Sequence, residues 1–132
     1  MNTLRASRLL TFALLLDAGA TAATGMLMLL FAAQLQVLLN LPALLMTGAG
    51  VFMLVYAVAI ERLSRRSELP RWAVLTVIIG NALWAIECAV LAFAGILAPS
   101  TLGIAFLLVQ AVIVFGFAEL QYVGMKRSTR MA

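Results

Sequence analysis

An all-α bundle of four membrane-spanning helices, with both termini on the cytoplasmic side, is the fold class that three observations predict. Hydrophobic residues make up 65% of the 132-residue chain and charged residues 11%, against about 45–50% and about 25% in soluble domains. A chain of this size cannot bury so much apolar surface against itself, so lipid must solvate most of it. Several long apolar stretches each supply the roughly 20 helical residues that cross about 30 Å of hydrocarbon. The Lys and Arg residues fall at the termini and in a single internal connection.

The first span is expected over residues 9–33, after Arg5 and Arg8. Its start, "MNTLRASR" then "LLTFALLL" then "DAGATAAT", has the order of a cleaved leader. The apolar run resumes at "GMLMLLFAA" and exceeds a leader's apolar core, so a retained helix is the reading. "QLQVLLNLP" breaks the pattern, and a second span over 41–60 follows, with Pro42 suited to a first helical turn. The loop 61–71, "ERLSRRSELPR", is the strongly polar connection. A third span covers 72–97. "LAPST" then offers Pro99 and a Ser100 or Thr101 cap before a fourth span over 101–123. The two short breaks predict antiparallel hairpins, and residues 1–132 read as a single transmembrane domain. The halves resemble each other in outline, each ending in glutamate and basic residues ("AIERLSRR", "AELQYVGMKR"), as a parallel internal repeat would.

Arg62, Arg65, Arg66 and Arg71 lie in or beside the middle loop, and Lys126, Arg127 and Arg130 follow the last span, whereas the two short breaks hold no Lys or Arg. The positive-inside rule therefore places both termini and the middle loop in the cytoplasm. The same clustering assigns the net charge of +4 to topology and argues against a nucleic-acid partner. With no histidine and one cysteine, Cys88, the chain lacks the usual ligands for zinc, copper or haem and cannot form an internal disulfide. No metal site and no cofactor are expected. Met26, Met28, Met46 and Met53 read as packing residues. No nucleophile and base pair is visible, so the chain is not expected to be an enzyme.

The informative residues are polar groups within the spans. Counting at 1.5 Å per residue from the basic ends puts Asp17 roughly 13 Å deep and Asn81 about 15 Å, while Thr24, Glu87 and Gln110 fall near roughly 24 Å. Asp17, Thr21, Thr24 and Met28 share one helical face, as do Asn81, Trp84 and Cys88. Lipid exposure of such groups is costly, so they are expected to face the bundle interior or an oligomer contact. No basic side chain lies within a span to pair with Asp17 or Glu87, and hydrocarbon favours a neutral carboxyl group. The expected bonds are Asp17 donating to Asn81, and Glu87 donating to Gln110 or Thr24. Glu61 is spaced to pair with Arg65, and Glu119 to meet nearby basic residues. Trp72 and Tyr122 suit interfacial anchors, and Trp84 lies deep enough to pack in the core.

At "GNALW" (80–84), "APSTLGIAFLLVQA" (98–111) and "AELQYVG" (118–124), the chain resembles small four-span bacterial membrane proteins of unassigned function. It is similar in size and span count to DoxX-like proteins, without their diagnostic motifs. The resemblance implies a multi-pass protein of the bacterial inner (plasma) membrane and supplies no activity. The leading expectation is an accessory or assembly subunit in the lipid bilayer, as a homo-oligomer or part of a larger complex. The alternative is a small transporter or channel moving a proton or cation through Asp17 and Glu87.

Overall fold

A computed structural model describes residues 2–131. It contains four long helices, each long and apolar enough to cross a membrane: α1 (Arg8–Leu30), α3 (Ala43–Ser64), α4 (Arg71–Phe93) and α5 (Thr101–Lys126). The protein is thus a multi-pass membrane helical bundle. A short helix, α2 (Ala32–Leu39), joins α1 to α3, and three short strands, β1 (Thr3–Arg5), β2 (Leu69–Pro70) and β3 (Thr129–Met131), form an antiparallel sheet in the order β2-β1-β3.

Helix boundaries follow local chemistry. Ser7 caps α1 by accepting from the Leu10 amide at 3.1 Å, and Ser100 caps α5 by accepting from the Gly103 amide at 3.0 Å. All four expected spans shift, the fourth running on from residue 123 to Lys126. The first ends at Leu30, not residue 33, because Phe31 leaves helical geometry (φ −119°, ψ 26°). "AAQLQVLL" is a separate helix, packed against α3 and α5, instead of an open break. Asn40 ends it in the left-handed conformation (φ 51°), which Asn tolerates better than most residues. Pro42 therefore precedes α3 and does not lie in its first turn. The second span continues to Ser64, whose hydroxyl donates to the Glu61 carbonyl at 2.6 Å, while Glu61 pairs with Arg65. The third stops at Phe93, where Gly95 takes a positive φ of 75°.

The helices pack as two antiparallel hairpins, α1 with α3 and α4 with α5, as the short connections predict. Where α1 crosses α3, Gly25 and Gly50 face each other so closely that a Cβ on either would lie 3.0 Å from the other's carbonyl oxygen. The hairpins join along α1 and α5, where Gly124 lets α5 approach the Leu10 backbone. By contrast the backbones of α3 and α4 stand apart, touching through side chains across a cleft.

The sheet was not expected from the sequence. It gathers residues 3–5, 69–70 and 129–131, so both termini and the middle loop share one end of the bundle. Leu4 and Leu69 are buried there, extending an apolar cluster that includes Leu10, Leu14, Ile60, Val74 and Met125. At the opposite end Met28, Leu39, Met46, Met53, Cys88 and Leu107 form a second cluster. Three of the four methionines read as packing residues are in this core, and Met26 faces outward. The outer loops are tied together at that end. Ser100 donates through its amide to the Leu39 carbonyl at 3.0 Å and through its hydroxyl to the Leu38 carbonyl at 2.7 Å, and Asn40 donates to the Ala98 carbonyl.

Candidate functional site

Between the two apolar clusters lies a polar layer built on Asp17 of α1, Asn81 of α4 and Gln121 of α5. Asp17 is 0% exposed. Its Oδ2 accepts from Asn81 Nδ2 at 2.7 Å and from Gln121 Nε2 at 2.8 Å, and its Oδ1 accepts from Thr21 Oγ1 at 2.9 Å. Asn81 Nδ2 also donates to Gln121 Oε1 at 2.9 Å. From α3, the Tyr56 hydroxyl reaches the Val77 carbonyl at 3.2 Å and Asn81 Oδ1 at 3.4 Å. Every long helix contributes, and among the described residues no buried side-chain nitrogen or oxygen lacks a partner. A carboxylate has about four acceptor sites, and here three neutral donors converge on it.

Asp17 and Asn81 meet as their matching depths predicted, but the direction of the bond is reversed. Asp17 accepts from Asn81 because the amide nitrogen, not the amide oxygen, faces it, while the oxygen is turned to Tyr56. Gln121 was missed. Its signal was present: it lies eleven residues, or three helical turns, beyond Gln110, so the two share a face of α5.

The deeper layer does not form the expected network. Thr24 bonds its own helix, Oγ1 donating to the Ala20 carbonyl at 2.8 Å. Gln110 accepts from Trp84 Nε1 at 3.2 Å. Glu87 is exposed and bonds neither Gln110 nor Thr24, because it lies on the side of α4 that opens into the cleft. Of the two placements expected for it, the bundle interior or an oligomer contact, it does not take the closed interior of the single chain. Glu119 is also exposed, and among the described residues the ion pair is Arg65 with Glu61, not one involving Glu119. Trp72 is exposed at the start of α4, and Tyr122 lies under the Lys126 ammonium, 5.3 Å from its ring centre, both fitting interfacial positions.

The cleft has two chambers of about 390 Å³ and about 350 Å³. Trp84 and Glu87 line both. Trp84 packs, half-buried, against the second cluster as its depth predicted, and it also stands between the chambers and stacks on Phe52 of α3 (centroids 6.0 Å apart, planes 9° apart), and Phe52 in turn stacks on Tyr56 at 5.9 Å. This stack bridges α3 to α4. The wall of the first chamber includes Thr21 and Asn81, the same side chains whose other contacts hold Asp17. Asp17 is thus one side chain removed from the cleft while closed off from it.

Comparisons with protein-family models, with curated proteins and with solved structures each returned no match to this chain.

Proposed function

We propose that the protein is an accessory or assembly subunit of the bacterial inner membrane, with its termini and the 61–71 loop in the cytoplasm, acting as a homo-oligomer or within a larger membrane complex. The observation that carries this reading is the enclosure of Asp17: a carboxylate sealed at 0% exposure and held by three neutral donors is a fixed cross-link between helices, not a station that a moving ion visits. The one-sided placement of Arg62, Arg65, Arg66, Arg71 and Lys126 supports the orientation. The bacterial assignment rests on the resemblance in "GNALW" and "AELQYVG". On the outer side of α4 and α5, Ala85, Ala89, Ala111 and Gly116 border a shallow groove where a neighbouring helix can approach closely.

A second reading has one specific observation in its favour. Glu87 is exposed in a cleft whose wall includes a partner of Asp17, as a small proton or cation transporter using the two carboxylates would require. One experiment separates them. Purified protein is reconstituted in vesicles for ion-flux measurement, and its mass is determined after extraction from native membranes. Complexes heavier than one chain, with no flux of protons or alkali cations, are expected. A monomer with a flux abolished by Glu87→Gln would replace the assembly reading with transport.

A further inference from the structure

The α3/α4 cleft combines features that the assembly reading does not use. Glu87 brings the cleft a carboxylate that no donor or cation among the described residues meets. Around it stand the π systems of Trp84, Phe52 and Tyr56. The larger chamber, about 390 Å³, falls in the range of small-molecule sites, roughly 300–1,000 Å³. We propose that this cleft binds a lipophilic organic cation, an alkyl or aryl ammonium that enters sideways from the bilayer, with Glu87 as its counter-ion and the aromatic side chains as its walls.

The chemistry selects this occupant over the others. A carboxyl group in an apolar setting keeps its charge only with a counter-charge beside it, because an isolated carboxylate is costly to desolvate, and a bound cation supplies that counter-charge. A bare metal ion is disfavoured: hard cations take about six or more oxygen ligands, and the walls here are mainly aromatic and aliphatic, with Glu87 as their carboxylate. Weakly hydrated organic cations are the ions that aromatic faces attract. A partner helix is disfavoured as well, since the Phe52–Trp84 stack crosses the cleft and divides it into two chambers, leaving no continuous trough. A lipid tail would fill apolar space and leave Glu87 uncompensated. The inference stands whether or not the protein assembles with partners.

The test is equilibrium binding of radiolabelled benzyltrimethylammonium to the protein in an uncharged detergent. Its neutral carbon isostere, neopentylbenzene, serves as competitor. Saturable binding is expected, weakened about tenfold by Glu87→Gln and about threefold by Trp84→Leu. Glu87 makes no hydrogen bond among the described residues, so Glu87→Gln should leave the thermal unfolding profile unchanged, and loss of binding in a variant with that unchanged profile is not misfolding. Neopentylbenzene should fail to compete where the unlabelled cation does. Absence of saturable binding, equal affinity in wild type and Glu87→Gln, or equal competition by the neutral isostere would each overturn the proposal. So would displacement by added phosphatidylethanolamine but not by unlabelled benzyltrimethylammonium, which would assign the site to a lipid headgroup amine.

Discussion

The two seams between the hairpins are built from opposite materials. Along α1 and α5 a glycine and hydrogen bonds draw the helices together: Gly124 lies against the Leu10 backbone, the Ser7 hydroxyl donates to the Gly124 carbonyl at 2.7 Å, and Asp17 accepts from Gln121. Along α3 and α4 the facing residues are Phe52, Tyr56 and Trp84, and the helices stay apart. A strict repeat of the two halves would make these seams equivalent, and they are not. Lipid tails are as apolar as leucine, so apolar side chains alone give helices little reason to associate in a membrane. Close backbone approach and polar pairing do. A glycine with a polar lock closes one seam, and large rings stand in the other.

The largest expected loss comes from dissolving the lock. Asp17→Leu removes the acceptor of three donors and should destabilise the bundle by about 2–4 kcal/mol, whereas Asp17→Asn, which retains acceptor and donor atoms, should cost about 1 kcal/mol or less. Unfolding in detergent mixtures of rising dodecyl sulfate content reports both; equal stabilities for the leucine and asparagine variants would mean that the polar layer does not close the seam.

Next comes the glycine at the same seam. A Cβ at residue 124 would lie 2.7 Å from both the Cα and the amide nitrogen of Leu10, so Gly124→Val should force α1 and α5 apart at a cost of about 1–3 kcal/mol. Gly48→Ala is the control, since a Cβ there meets nothing within 4 Å. The comparison breaks if the two variants unfold together.

In the open seam the effects shrink. Trp84→Leu removes a half-buried stack and the bond to Gln110, for about 0.5–1.5 kcal/mol. Smallest of all is Glu87→Gln, within about 0.5 kcal/mol, because the side chain is exposed and makes no bond among the described residues. Should Glu87→Gln prove as damaging as Asp17→Leu, the two carboxylates would be equivalent after all.

Span number, hairpin pairing and the meeting of Asp17 with Asn81 were all legible in the sequence because each follows from a one-dimensional quantity: apolar length, loop length, or depth from a basic end. Seam packing is a different kind of information. Glu87 lies at the same depth as Gln110, but depth says nothing about azimuth, and its exposure follows from α3 and α4 standing apart. Trp84 took Gln110 as its partner for the same reason. Polarity arguments assume that the interior is closed all round, and they fail where aromatic bulk leaves a gap. The sheet escaped notice because two or three residues per strand give no alternation to read.

The sheet also imposes a schedule on biosynthesis. Its central strand, Thr3–Arg5, leaves the ribosome before any helix, yet Leu4 pairs with Arg130, which follows the last helix. At about 5–20 residues per second, the partners are separated by roughly ten seconds of translation. Asp17 waits in the same way, since Asn81 arrives with the third long helix and Gln121 with the fourth. Until then the carboxyl group in the first hairpin has Thr21 as its one partner of the three, and β1 lacks its β3 neighbour. A chain halted before residue 121 therefore lacks both the Gln121 donor and the pairing of β1 with β3, two contacts that the finished protein gains together.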